Sequence, residues 1–385
     1  MGRKRIGLIS LHYKHNYGTM LQAFALQKKL ELLGHEAQYI DYRHPMPKLP
    51  LEKCVIHRLK KLPKNFIDLP KHIKMIIYAN KMSLRHKHFD DFYCAKIKTN
   101  ETRYYSEEEL ILNCPSYDIY IVGSDQVWNP NLSFYCGVYF LRFVSDRKKK
   151  AAYAPSIGLS VLSAQQSAEM VEHLKKFTYL SCREQTGAVV LSKLCGKTVL
   201  QVVDPTLLLD ASVWSKEAVD PKIEEPFILC YFLGEVKWQR DFVTRLEKQT
   251  GLRAYFIPNT YLDVNKNNAV FEVGPAEFIG LIKNANYVCT DSFHGCVFSA
   301  IFERQLYGFC KRAEVEMTSD NSRLADLFQL LGVPERLIKK PIEGLLDVTD
   351  IDYSMVKPKL IDAIQRSELY LNEVLQLLSS SNILS

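Results

Sequence analysis

The chain has no C-x-x-C pair, no G-x-G-x-x-G fingerprint, no internal repeat and no low-complexity tract. Each absence closes a door. Ten cysteines are scattered along 385 residues, and Cys230, Cys289 and Cys310 sit in apolar runs where a free thiol acts as a small hydrophobe. That usage excludes a disulfide scaffold and a zinc ribbon and points to a reducing, cytoplasmic setting. No apolar run approaches the length of a membrane span, and Ile6 to Leu11 is too short for the core of a signal peptide. The expectation is a soluble chain, or one resting on a membrane surface. A net charge of +7 is mild for this length and does not argue for nucleic acid. No metal-ligand cluster is visible, so the expected metal and cofactor content is none.

What is present is an α/β pattern with 47% apolar content, enough for two ordinary domains. Residues 5–11 read as a strand, 17–33 as a helix ended by Gly34, and 36–42 as a second strand. This βαβ opening begins a doubly wound parallel sheet. Further strands follow at 118–123, 149–154 and 199–203. The polar stretch 221–226 reads as a linker, after which strands at 227–234, 253–258, 287–290 and 305–310 alternate with helices. The reading is two Rossmann-like domains facing a cleft. Residues 1–220 form the first, with a mainly helical insertion at 43–115. Residues 221–345 form the second, and 346–385 hold an amphipathic helix packing across both.

Residues 43–88 carry twelve Lys and Arg against only Glu52 and Asp68. That local +10 exceeds the charge of the whole chain, so the remainder is net acidic. Apolar residues interleave with the basic ones. Two readings stay open: a helical insertion on an anionic membrane surface, or a solvated basic face over a packed helix.

The stretch Asn286-Tyr-Val-Cys-Thr-Asp-Ser-Phe-His-Gly-Cys-Val-Phe-Ser-Ala-Ile-Phe302 reads as a strand, a tight turn and an apolar helix starting near Cys296. Asp291 and Ser292 can cap that helix, placing His294 beside free N–H groups at its positive end. Such a turn is an anion site with a titratable group at its mouth; the plainer alternative is a His caught in an ordinary strand–helix turn. The loop His15-Asn-Tyr-Gly-Thr19 and the run Ser124-Asp-Gln-Val-Trp-Asn-Pro130 also follow strands, where such sheets bind ligands. Asp204-Pro reads as a structural turn.

Asn16-Tyr-Gly-Thr-Met-Leu-Gln-Ala-Phe-Ala-Leu-Gln27, Gly123-Ser-Asp-Gln-Val-Trp-Asn129, Tyr153-Ala-Pro-Ser-Ile-Gly158, Asp204-Pro-Thr206 and Asp291-Ser-Phe-His-Gly295 together resemble the polysaccharide pyruvyl transferase family. The matches run in family order from about residue 6 to 332, outside the basic insertion. The resemblance implies a GT-B-like fold and a reaction in which phosphoenolpyruvate gives its pyruvyl group to two hydroxyls of a sugar. The acceptor it implies belongs to a capsular or exopolysaccharide intermediate, expected to be lipid-linked. It also implies His294 as the catalytic residue and Arg183 as a ligand of the donor's phosphate or carboxylate. Ser292 and Gly295 would complete that donor site.

An imidazole, which titrates near neutrality, suits proton transfer to the donor's methylene or from a sugar hydroxyl. Many relatives carry an Arg where this chain has Ser292, so a second cation must come from elsewhere. Arg323 is the candidate, with Lys311 behind it. Asn16, Tyr17, Gly18, Ser124, Asp125, Gln126, Asn129 and Ser156 are expected on the acceptor sugar or in the cleft. Trp128 belongs with them if it stacks on a sugar, or else in the core. Two rival functions remain: a nucleotide-sugar glycosyltransferase on the same fold, and a non-catalytic assembly factor at the membrane surface.

Overall fold

The computed structural model describes residues 2–44, 69–264, 266–310 and 321–377; within these, the side chains of 69–80 and 261 are not described. Most of the basic segment and Lys311 therefore lie outside the described residues. Two five-stranded parallel sheets carry the architecture. The first joins β1 (Arg5–Ile9), β2 (Glu36–Tyr42), β3 (Thr99–Tyr104), β4 (Ile119–Val122) and β5 (Lys150–Ala152) in the order β3-β2-β1-β4-β5. A two-stranded pair, β6 (Ser181–Cys182) and β7 (Leu200–Gln201), stands beside it. The second joins β8 (Phe227–Tyr231), β9 (Arg253–Phe256), β10 (Tyr287–Thr290), β11 (Gln305–Phe309) and β12 (Leu337–Ile338) in the order β12-β11-β10-β8-β9. Central strands such as β4 and β8 are buried at every position, as parallel strands covered on both faces must be.

Strand order decides where a ligand can bind. In doubly wound sheets the crevice opens beyond the carboxyl ends of the two strands at which the winding reverses. In the first sheet those strands are β1 and β4, and in the second they are β8 and β10. The loops leaving them hold Lys14 to Thr19, Ser124 to Gln126, Leu233 and Ser292 to His294. These loops face one another across one cleft, which makes the arrangement GT-B-like.

Helix α1 (Tyr17–Leu32) is amphipathic only toward its end. Every residue from Tyr17 to Gln27 is buried, because the helix lies between its own sheet and the second domain. Tyr17 stacks on Phe278 at 4.4 Å and its hydroxyl donates to the Val273 carbonyl at 2.7 Å. Buried glutamines are satisfied in place: Gln22 accepts from the Ser124 N–H and donates to the Thr19 carbonyl.

Helix α2 (Leu69–Lys96) reaches the other domain too, with Arg85 donating to the carbonyls of Phe271 and Pro258. The long C-terminal helix, Tyr353–Leu377, touches both domains. Tyr353 donates to the Arg304 carbonyl at 2.6 Å and Tyr370 to the Ala152 carbonyl at 2.7 Å. Among the described residues no helix is long and apolar enough to cross a membrane.

Candidate active site

The turn after β10 is built from its own side chains. Thr290 donates to the Tyr231 carbonyl, and Asp291 accepts from the backbone N–H groups of Leu233 and Gly234. Ser292 is the N-cap of a helix spanning Phe293–Ile301 and accepts from the Gly295 N–H at 3.3 Å. The helix starts earlier than the sequence suggests, because Ser292 alone caps it while Asp291 is spent on the β8 loop. His294 therefore lies in the first helical turn and not in the loop before it.

That turn points His294 across the domain boundary. Its Nε2 lies 3.2 Å from Oδ2 of Asp204, a residue of the first domain. Asp204 is buried and crowded with donors: Arg183 Nη1 at 2.9 Å, the Ser124 hydroxyl at 3.3 Å, and the Thr206 hydroxyl and N–H. Burial alone would push its carboxyl up. The charges of His294 and Arg183 and the hydrogen bonds from Thr206 outweigh it and hold the carboxyl well below the usual range. A carboxylate kept ionised accepts the Nε2 proton and fixes the ring's tautomer and orientation. The other ring nitrogen faces α1: a Cβ on Gly18 would stand 1.9 Å from Nδ1, so only glycine lets the imidazole seat there.

Two cavities meet at this point. The cleft itself is about 460 Å³ and is lined by Lys14, His15, Asn16, Thr19, Asp125, Gln126, Ser292, His294 and Arg323, with Leu11, Leu132 and Phe134 among its apolar walls. The N-termini of α1, capped by Asn16, and of the Phe293–Ile301 helix both border it, so backbone N–H groups and dipoles favour a bound anion. Behind Phe293 and Arg323 lies a second cavity of about 450 Å³, lined by Arg183, Glu184, Asp204, Asp326 and Arg366. The Phe293 ring covers one face of the Arg183 guanidinium at 4.3 Å, while Arg183 Nε and Nη2 are buried with no hydrogen-bond partner among the described residues. Glu184 uses Oε1 to gather the Ser156 hydroxyl and the N–H groups of Ile157 and Gly158.

A model of the polysaccharide pyruvyl transferase family matches residues 16–309, most of the chain and most of the residues that line the cleft. The chain belongs to the polysaccharide pyruvyl transferase family. No curated protein matches it. Among solved structures it is similar to UDP-N-acetylglucosamine 2-epimerase from Rickettsia bellii, at 10% identity and a TM-score of 0.46, covering 98% of this chain and 97% of that one. It is also similar to the UDP-GlcNAc 2-epimerase from Methanocaldococcus jannaschii, at 12% identity and a TM-score of 0.44, covering 94% and 91%.

In this member of the family the sequence-predicted residues fall into three groups. His294, Ser292, Arg323, Asn16, Asp125 and Gln126 line the cleft together. Arg183 lines the adjoining cavity and is ion-paired to Asp204. The rest build the walls. Tyr17 joins the domains, Gly18 makes room for His294, and Gly295 packs against Thr290. Ser124 and Ser156 are buried and bonded to Asp204 and Glu184, and Asn129 donates to Gln126.

Trp128 does not face a sugar. It is wholly buried, stacked on Phe140 at 5.3 Å with its indole N–H donated to the Tyr139 carbonyl. Asp204 makes the turn that the sequence suggests and also has tertiary partners, 21 and 90 residues away, that no local pattern reports.

Proposed function

We propose that this chain transfers the pyruvyl group of phosphoenolpyruvate to two hydroxyls of one sugar, forming a cyclic ketal and releasing phosphate. The observation that carries the reading is the Asp204–His294 pair at the floor of an anion-favouring cleft in a chain of this family. Phosphoenolpyruvate brings a phosphate and a carboxylate, which need cations and oriented N–H donors. Lys14, Arg323 and the two helix N-termini supply them on the cleft side, and the free edge of Arg183 supplies two more donors behind Phe293. His294, steadied by Asp204, protonates the methylene carbon and makes C2 electrophilic. The sugar approaches along Asp125 and Gln126. It belongs to a capsular or exopolysaccharide intermediate carried on a lipid, and the basic residues of 43–88 bring the enzyme to that membrane surface.

Calorimetric titration with phosphoenolpyruvate, run beside UDP and GDP, tests the donor. Saturable binding of phosphoenolpyruvate alone is the expected result. Binding of a nucleotide with no response to phosphoenolpyruvate would move the protein to a glycosyltransferase reading.

A further inference from the structure

Ketal formation moves two hydroxyl protons, and His294 cannot give a proton to the methylene and take one from the first hydroxyl in the same step. Two C2–O bonds form to the sugar, the C2–O bond to phosphate breaks, and the methylene becomes a methyl group. Of the two hydroxyl protons released, one is matched by the proton gained at carbon and the other leaves on the phosphate. Where the first hydroxyl adds as the methylene is protonated, a second group takes the hydroxyl proton.

Among the described residues lining the cleft, one carboxylate is present, and it is Asp125. Asp204 is committed to Arg183, His294 and Thr206, and Glu184 and Asp326 line the adjoining cavity. The second cleft imidazole, His15, is tied to Asp90 of α2 at 2.7 Å. Asp125 is held firmly in place. Its Oδ2 accepts from the Thr19 hydroxyl at 2.6 Å, its Oδ1 from the Gln126 N–H at 2.8 Å, and its carbonyl from the Ser156 N–H at 2.8 Å. Each carboxylate oxygen keeps acceptor capacity for a further donor. Its backbone stands at φ 72, in the left-handed region, a conformation that a non-glycine residue holds only when its surroundings impose it. Consecutive residues of α1 hold the two groups: Gly18 seats His294 and Thr19 anchors Asp125. Consecutive Cα atoms are about 3.8 Å apart, so imidazole and carboxylate flank one end of the same helix.

We infer that Asp125 is the base that takes the proton from the first attacking sugar hydroxyl, opposite His294. This rests on the pyruvyl-transfer reading. As the hydroxyl oxygen adds to C2, its proton passes to Asp125 while His294 gives one to the methylene carbon. When the C2–O bond to phosphate breaks, the departing phosphate takes the proton from Asp125. The second hydroxyl then adds to C2 and returns its proton to His294, leaving both groups as they began.

The test compares the full chain with Asp125→Gly and Asp125→Asn, since glycine accepts the positive φ. Phosphate release from phosphoenolpyruvate is followed with a panel of methyl pyranosides offering 4,6- and cis-3,4-diols, and phosphoenolpyruvate affinity is measured calorimetrically. The inference expects kcat to fall at least about a hundredfold in both variants with donor affinity within about twofold of wild type. Added formate restores turnover to Asp125→Gly and not to His294→Ala. A kcat near wild type overturns the base role, as does a loss of donor affinity in step with kcat. So does a folded Asp125→Gly that formate leaves inactive. If the glycine variant melts early, Asp125→Asn decides by its kcat and donor affinity. A wild-type chain that neither binds phosphoenolpyruvate nor releases phosphate from it overturns the pyruvyl-transfer reading, and this role with it.

Discussion

His294 of the second domain places its Nε2 3.2 Å from Oδ2 of Asp204 in the first, and the pair exists only where the two domains meet. Asp204 is itself gripped by Arg183, so three residues form a buried hydrogen-bonded chain, Arg183–Asp204–His294. Removing one member of such a set leaves an uncompensated charge. The chemistry and the domain arrangement are therefore coupled through one carboxylate.

Asp204→Asn is expected to cut kcat by on the order of 10²–10⁴ while leaving phosphoenolpyruvate affinity largely intact, because the amide no longer stabilises a charged imidazole. The same carboxyl gives a pH signature. Its folded-state pKa lies below the ordinary aspartate value of 3.8, so its contribution to stability is present above that value and fades as pH falls below it. Melting curves from pH 6 to 3 should show wild type losing more stability than Asp204→Asn at the acid end. Parallel losses would contradict the pair's ionised state.

Gly18→Ala tests how His294 is seated. The added methyl group would collide with Nδ1, so the ring must leave Asp204. Turnover is expected to drop roughly tenfold or more, since a misplacement of about an ångström is enough to do so, and the thermal melt to fall as well, because the buried pair loses a member. Unchanged kcat would show that the ring does not need this seat.

Much of this was legible in the sequence, for a physical reason. The βαβ opening, the turn at Ser292 and His294, and the polar runs after β1 and β4 are local patterns, and parallel sheets place such loops together. Asp204 and Trp128 were not legible in the same way. Asp204 caps a local turn through Thr206, which fully explains an Asp-Pro in sequence; its ties to Arg183 and His294 are tertiary. Trp128 follows a cleft loop but turns inward to Phe140 and Phe177, a direction no spacing rule reports. Arg323 lines the cleft from a helix of the second domain, a position that depends on packing between the domains.

Trp128→Ala should act on stability and not on substrate. Truncating a buried Trp destabilises by about 3–5 kcal/mol, and here the Tyr139 carbonyl also loses its donor. Denaturant unfolding reads the loss. A stable variant whose defect is confined to the acceptor KM would place Trp128 at the sugar after all.

The membrane proposal must be tested without touching α2, because Arg85 and His88 hold the second domain through Phe271, Pro258 and Glu277. Replacing Lys48, Lys53, Arg58, Lys60, Lys61 and Lys64 with Gln removes six positive charges from the segment before that helix. Sedimentation with phosphatidylglycerol vesicles should fall by tenfold or more at low salt, with each charge near the surface worth about 1 kcal/mol. Equal sedimentation of both forms would remove the membrane role.

The most direct test of the whole account is phosphorus NMR of phosphoenolpyruvate with a diol acceptor from the pyranoside panel, for wild type and His294→Ala. The account predicts that wild type converts phosphoenolpyruvate to inorganic phosphate as a new pyruvyl methyl signal grows on the sugar, and that His294→Ala, folded as judged by its melt, does neither. Conversion by both proteins at equal rates would contradict the role of His294. Phosphoenolpyruvate left untouched by wild type, while a nucleotide sugar is consumed, would contradict the reaction itself.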